Sequence, residues 1–390
     1  MRILIAASGG EGHLGPLLPF VDAAAEAGDD VVLVVPPSQE DTARGTGVSY
    51  RITAEPSAHE LLDVRRSMSS GDVDVRTHAA EVEMFGRINT AAALPVMESV
   101  ARTFQPHLVM REPCDYASAI IAVRQQISMA TVGISPGRAD VSGTTIAAQV
   151  TEPLAPGVTA AIVRSAYLTR FPDGDDSEFP DTRRYGFEVD TVAHQRESPP
   201  LIWLTMGTVN TGFDQIRGTW DAAISALDGL DVRVIASVGR GGAVPESPAH
   251  IEVVDWVELT DVLGRASAVL CHGGSGTTLA ALAAGVPVVC VPMLADQPTN
   301  AAMVTTLGAG ITVAPQVGPT IGGLTPSDVP RLRHAVASVL DDPSYRDAAE
   351  RAASLFAGAP RVAVRLAELR REVVGKCTHE TSSHCHPPAP

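Results

Sequence analysis

The segment His272-Gly273-Gly274-Ser275-Gly276-Thr277-Thr278 has the residue types to hold an anion. It follows the apolar run Ala268–Cys271 and leads into a helical pattern over Thr277–Ala284. Glycines let backbone N–H groups approach a phosphate closely, and a helix N-terminus adds favourable dipole charge. Ser275, Thr277 and Thr278 bring hydroxyl donors, and His272 can offer a hydrogen bond or a positive charge. The G-K-[S/T] of a P-loop NTPase is absent. The competing reading is a glycine turn that serves only helix–strand packing. Further on, Asp296-Gln297 follows a second apolar run, Pro287–Val291. A carboxylate beside an amide suits vicinal hydroxyls, although Asp296 alone can also cap the next helix. Upstream, Asp255-Trp256-Val257 follows the run Ile251–Val254, where Trp256 can pack on a base or fill the edge of the core.

A second glycine string, Ser8-Gly9-Gly10-Glu11-Gly12-His13-Leu14-Gly15, follows the first apolar run, Ile3–Ala7. It contains G-x-G-x-x-G at Gly10, Gly12 and Gly15. The dinucleotide reading also requires an acid at the end of the second strand, to hold a ribose hydroxyl. That place is taken by Val35-Pro36-Pro37-Ser38, while Asp29 and Asp30 stand at the wrong end. The other reading centres on His13. Its ordinary pKa near 6.5 suits a general base at neutral pH, and the alternative is a cap on a helix starting near Pro16.

No metal is expected. D-x-D occurs at Asp72-Val73-Asp74 and in Asp173-Gly174-Asp175-Asp176, both in charged, glycine-containing stretches that read as solvated loops. His379, His384 and His386, with Cys377 and Cys385, are read as a chance cluster in the tail. Cys114, Cys271 and Cys290 lie in apolar runs and read as small buried hydrophobes.

These residues need elements to position them. The first half alternates strand and helix patterns: Ile3–Ala7, Leu17–Ala27, Val31–Val35, Ala91–Arg102, Leu108–Met110, Tyr116–Arg124 and Thr131–Ile134. Thr191–Pro200 has no periodicity and ends in two prolines, as a linker does. The alternation then restarts with Leu201–Thr205, Phe213–Leu227, Val232–Ser237, Ile251–Val254, Leu259–Arg265 and the segments already named, and helical patterns from Asp328 to Arg371 close it. Such alternation predicts an α/β protein with two doubly wound parallel-sheet domains. Ligands of these sheets lie beyond the carboxyl ends of the strands, so two such domains would place an active site in the cleft between them. Cys377–Pro390 lacks a core-forming pattern and is predicted to be disordered.

The chain has 390 residues, enough for two domains of ~100–200 residues each. With 45% hydrophobic and 19% charged residues it can bury a large core, which excludes general disorder. A net charge of −16 excludes a nucleic-acid partner, which would demand a surplus of Lys and Arg on one face. The apolar run Leu279–Ala295 is broken by Gly285, Pro287 and Pro292, so no membrane association is expected. The opening MRILIAASGG carries no secretory pattern. With unpaired cysteines, this predicts a reducing cytoplasm.

Taken together, the chain resembles the GT-B glycosyltransferases of family 1, in the bacterial natural-product (macrolide-type) branch. The resemblance rests on Gly12-His13-Leu14-Gly15-Pro16, Trp203-Leu204-Thr205-Met206-Gly207-Thr208, Val254-Asp255-Trp256-Val257, His272–Thr278 and Asp296-Gln297, and covers Met1 to about Arg371. It implies two facing Rossmann-like domains: 1–190 for the acceptor, a linker 191–200, 201–360 for the nucleotide-sugar donor, and a helix 361–376 crossing back to the first domain. It implies that His13 is the base. The family places an Asp after the strand Leu108–Met110; here Glu112 stands at the matching position and Asp115 three residues later, and Glu112 is preferred. Thr208, Trp256 and Val257 match the nucleotide side; His272, Gly273, Gly274, Ser275, Gly276 and Thr277 the diphosphate cradle; Asp296 and Gln297 the sugar contacts. Leu279–Ala283 lacks the acid that holds both ribose hydroxyls in the plant branch, which favours a dTDP-sugar over a UDP-sugar. Val64–Met84 and Pro136–Tyr167 are candidate walls for an apolar aglycone, with Met68, Met84 and Phe85 either lining it or ordinary core. The implied reaction is inverting sugar transfer without metal or cofactor. The alternatives are a GT-B enzyme acting on a lipid or sterol, and a non-catalytic sugar-nucleotide-binding helper. Oligomeric state is not legible.

Overall fold

A computed structural model describes residues 1–70, 72–172, 178–187, 197–207, 214–239, 247–248, 250–316 and 323–382. The chain divides into two compact units, Met1–Tyr185 with the chain from Pro360 onward, and Gly186–Ala359. Of the predicted linker 191–200, only Glu197–Pro200 lies within the described residues.

Among the described residues the first unit has seven strands: β1 (Arg2–Ala6), β2 (Asp30–Val35), β3 (Ser49–Ile52), β4 (Leu108–Arg111), β5 (Ser128–Val132), β6 (Ala166–Thr169) and β7 (Thr182–Arg184). They pair in parallel in the order β3-β2-β1-β4-β5-β6-β7. Side chains alternate between the faces of a strand, and both faces here are covered. Ile3, Ile5 and Leu33 pack with Leu14, Leu17 and Phe20 on one face, joined by Leu366, Leu369 and Val373 of the helix Val362–Ser382. Leu4, Ala6 and Val34 pack with Met97, Val100 and Ile121 on the other. Double coverage is why β1 and β2 read as unbroken apolar runs.

Three predicted boundaries change. The strand expected at Thr131–Ile134 ends at Val132, because the N–H groups of Ile134 and Ser135 turn to Asp140 instead of a neighbouring strand. The loop expected at Ser8–Gly15 becomes helical at Glu11 and passes through a 3₁₀ turn, Gly15–Leu17, before the helix Leu18–Glu26. The disorder expected from Cys377 gives way to a helix that continues to Ser382; residues 383–390 lie outside the described residues. A further feature has no counterpart in the sequence reading. Ala79–Asn89 winds as a π-helix of 11 residues, a rare geometry that recurs at functional sites. Gly86 permits it to lie close to the helix Gly137–Thr151, since a Cβ there would stand 2.7 Å from Val150 Cγ2.

Among the described residues the second unit has six strands: β8 (Leu201–Thr205), β9 (Arg233–Ser237), β10 (Ile251–Val254), β11 (Ala268–Cys271), β12 (Val288–Cys290) and β13 (Gly310–Thr312). All pair in parallel, in the order β10-β9-β8-β11-β12-β13. Ile202, Leu204, Val234 and Leu270 pack with Trp220, Leu227, Leu332 and Val336. In both sheets the chain order reverses between two adjacent strands, β1/β4 and β8/β11. Connections there leave in opposite directions and open a crevice at the carboxyl ends. No helix among the described residues is long and apolar enough to cross a membrane.

Candidate active site

In the first unit the switch point brings together His13, after β1, and Glu112, after β4. Ala6 pairs with Arg111 in the sheet, so the residues that follow diverge from one place. His13 Nδ1 lies 3.2 Å from Glu112 Oε2. The Ser8 N–H and hydroxyl donate to Glu112 Oε1 at 2.9 and 2.7 Å, and the Cys114 N–H donates to Oε2 at 2.6 Å. The Glu112 side chain is fully buried, and that of His13 is 21% exposed. Burial alone would raise the Glu112 pKa, but His13 and the Ser8 donors hold it at about 2. Burial likewise works to lower the His13 pKa, and the Glu112 carboxylate outweighs it, so the imidazole is raised above 6.5. The buried carboxylate therefore makes the histidine a stronger base.

The glycine that this placement demands is Gly9, where a Cβ would lie 2.5 Å from His13 Cδ2. At Gly12 and Gly15, the later glycines of the G-x-G-x-x-G string, a Cβ would meet nothing within 4 Å. Phe85 on the π-helix packs on the imidazole with ring centroids 5.1 Å apart. Asn89, at the end of that helix, donates to the Ser8 carbonyl at 3.2 Å.

Asp115, the other candidate partner of His13, lies in a different environment. Arg111 is completely buried, and its guanidinium donates to the carbonyls of Pro113 (2.6 Å) and Asp115 (2.8 Å). It thus clamps the turn that carries Glu112. Burial pushes the Asp115 carboxyl up to about 6, against the pull of Arg111. Two more acids share the region. Burial pushes Glu81 and Asp140 up to about 7 each. Asp140 accepts the hydroxyls of Ser135 (2.6 Å) and Tyr167 (2.7 Å). Arg111, Glu81 and Asp140 were not singled out in the sequence; apolar context around Arg111 was the one signal, since a charge inside a strand needs partners.

In the second unit the corresponding switch point joins Gly207, after β8, with His272, after β11. Cys271 pairs with Thr205. The His272 ring is nearly buried and seated against glycine backbone: a Cβ at Gly207 would be 2.7 Å from Nε2, and one at Gly274 only 2.3 Å. Gly207 and Gly273 have φ of 79° and 83°, which glycine adopts without strain. Burial pushes the His272 pKa down to about 4, against a bond to the Thr205 backbone that raises it. His272 is therefore neutral at pH 7, and of the two contributions read from sequence only the hydrogen bond applies.

The helix Ser275–Ala283 begins at the loop, with Gly274 as its cap. Its first-turn N–H groups have no intrahelical acceptors and can meet an anion. Gly274, Ser275 and Thr277 are half-buried and Gly276 is exposed, while Gly273 is buried. Asp296 stands against this loop: its Oδ2 accepts the Ser275 hydroxyl at 2.5 Å and Asn300 Nδ2 at 2.8 Å. Asn300 also donates to the Gly273 carbonyl (2.9 Å) and to Ser275 Oγ (3.0 Å). This buried residue, three beyond Gln297, was missed because one asparagine in a helical pattern carries no signal. Gln297 is turned inward, 4% exposed, and its Oε1 accepts the N–H groups of Met293 (2.8 Å) and Leu294 (3.0 Å). Trp256 is 40% exposed and Val257 half-buried. Thr208 lies outside the described residues, as does the Asp173–Asp176 stretch. Asp72 caps the helix Val73–His78 by accepting the N–H of Asp74 at 2.8 Å.

Residues 221–369 match the family model of the erythromycin biosynthesis protein CIII-like C-terminal domain. A desosaminyltransferase acting on 10-deoxymethynolide, from Streptomyces venezuelae, is 26% identical over 95% of this chain and 97% of its own. The chain is thus similar to the natural-product glycosyltransferases of family 1. An elloramycin glycosyltransferase from Streptomyces olivaceus is 43% identical, over 28% of this chain and 29% of its own length. A spinosyn rhamnosyltransferase solved with thymidine diphosphate superposes with a TM-score of 0.77 over 95% of this chain and all of that one, at 19% identity. The fold of this glycosyltransferase is thus GT-B, with two Rossmann-like α/β units.

Proposed function

We propose that the enzyme moves a sugar from a dTDP-sugar to a hydroxyl of an apolar natural-product aglycone, with inversion and without a metal. The observation that carries this reading is the His13–Glu112 pair. With Nδ1 turned to a buried, ionised carboxylate, Nε2 is left as the proton acceptor. His13 takes the proton of the acceptor hydroxyl, and the oxygen attacks the anomeric carbon from the face opposite the nucleotide. The C–O bond to the diphosphate breaks, and its electron pair leaves with the phosphate. Glu112 stabilises the imidazolium as it forms. The first-turn amides of the helix Ser275–Ala283 and the neutral His272 meet the charge that grows on the diphosphate. Asp296 is assigned to the sugar hydroxyls, Gln297 to the same contact through its amide nitrogen, and Trp256, Val257 and Thr208 to the nucleotide.

The preference for thymidine draws support from Leu279, Ala280, Ala281 and Leu282, all fully buried in the core. No carboxylate stands there to hold a ribose 2′-hydroxyl. Thymidine diphosphate is also the ligand of the rhamnosyltransferase described above. The test is transfer from paired dTDP- and UDP-sugars to hydroxylated aromatic and macrolide acceptors, with the anomeric configuration of the product read by NMR. Retention of configuration, or undiminished turnover by His13→Ala, would refute the mechanism. Strong preference for UDP would refute the donor assignment. Loss of activity in EDTA, restored by magnesium, would refute metal independence.

A further inference from the structure

We propose that His13, Glu112 and Cys114 form an inhibitory site for a borderline-soft divalent cation of the zinc class, which silences the base when it binds. An imidazole nitrogen of His13, a Glu112 carboxylate oxygen and the Cys114 thiol all lie within 4.8 Å of one another. Two ligands at ~2.1 Å from a tetrahedral zinc are themselves ~3.4 Å apart, and His13 Nδ1 and Glu112 Oε2 stand at 3.2 Å. That pair is already spaced as two zinc ligands. The sulfur lies within 4.8 Å of both and needs a shift of at most about 1.2 Å to reach the ~3.6 Å that a Zn–S bond of ~2.3 Å implies. Cys114 is half-buried and His13 partly exposed, so an ion has access.

The surroundings favour a cation. The carboxyl groups of Glu112, Glu81 and Asp140 all bear on Cys114, and Arg111 opposes them. The exchange balances as follows. Glu112 is already ionised. The thiol releases its proton to solvent and binds as thiolate. Neutral His13 moves its single proton from Nδ1 to Nε2 and binds through Nδ1. One proton leaves per ion bound, and Nε2 now carries hydrogen, so it cannot accept the acceptor's proton. The inhibitory consequence rests on His13 being the base; the binding site does not.

The experiment titrates the intact enzyme with Co²⁺ and Zn²⁺. Wild type is expected to develop a thiolate-to-cobalt charge-transfer band, to release about one proton per ion at neutral pH, and to lose transfer activity with Zn²⁺ in a way EDTA reverses. Cys114→Ala and Cys114→Ser should keep basal turnover and lose the band. The Zn²⁺ concentration for half-inhibition should rise roughly tenfold or more in both. Circular dichroism establishes that the variants fold, and the pair of substitutions guards against one failing to do so. Absence of the band in wild type overturns the site, whether or not transfer is detected. A band with undiminished transfer overturns the inhibition. Inhibition equally strong in both variants places the ion elsewhere and overturns the assignment. Failure of transfer in the metal-free enzyme would count against the proposed function and not against the site.

Discussion

Replacing Glu112 by Gln tests whether the carboxylate tunes His13 or merely fills space. The wild-type carboxylate has no spare acceptor capacity on its inner side. Oε1 takes two donors from Ser8, and Oε2 takes the Cys114 N–H while facing His13. Glutamine offers one oxygen. With that oxygen toward Ser8, its NH₂ meets the Cys114 N–H, and stranding a buried donor costs about 1–3 kcal/mol. The same NH₂ donates to His13 Nδ1 and so favours the tautomer with hydrogen on Nε2, which cannot act as a base. The electrostatic part follows from Glu112 itself. A carboxyl held at about 2 in place of 4.5 corresponds to roughly 3 kcal/mol at 1.36 kcal/mol per unit, and His13 is its charge partner. Together these effects should lower kcat by about 10²–10⁴-fold, the range seen for general bases and their orienting acids, with a smaller change in KM. The assay is transfer kinetics across pH, beside a melting curve. In wild type the acid limb of kcat/KM should fall above pH 6.5, because Glu112 raises the His13 pKa. In Glu112→Gln it should move to lower pH. A variant with near-parental turnover and an unmoved acid limb would refute the reasoning, and one that only melts earlier would reduce Glu112 to a packing role.

Gly274→Ala places a Cβ 2.3 Å from His272 Nε2; overpacking of this kind costs about 1–3 kcal/mol, and calorimetry should show weakened dTDP binding. Asn300→Ala strips the donor shared by Gly273, Ser275 and Asp296; a loss of about 1–3 kcal/mol should appear as raised donor KM, and Asn300→Asp, with a second carboxylate against Asp296, should be worse. Asp140 keeps its proton to about pH 7 in the fold, against an ordinary 3.8. The unfolded chain releases that proton first, so stability falls as pH rises from about 4 to 7, by up to ~4 kcal/mol. Glu81 and Asp115 act in the same direction, whereas His272, held at about 4, loses stability as pH falls below 6.5. Asp140→Asn should therefore flatten the decline in urea midpoint between pH about 4 and about 7, and an unchanged decline would remove Asp140 from the account.

The strands that build the two sheets were legible because burial on both faces leaves unbroken runs of Val, Ile and Leu, a pattern written in consecutive residues. The anion loop was legible for the same reason: His272–Thr278, the strand before it and the helix after it are contiguous. Edge strands such as Ser49–Ile52, with its alternating exposure, carried too little apolar signal. Folding settled matters that depend on distant partners. Ser8 and Glu112 are 104 residues apart and meet because β1 pairs with β4. The sequence preferred Glu112 to Asp115 without placing either; in the fold Arg111 claims the carbonyls of Pro113 and Asp115, and Glu112 is the carboxylate set against the imidazole. Gln297, matched in sequence to the sugar contacts, has its Oε1 held by two loop amides. Charge state, too, came from burial. A histidine at about 4 and acids near 7 are properties of the surroundings that packing creates, and no residue carries them in its own chemistry.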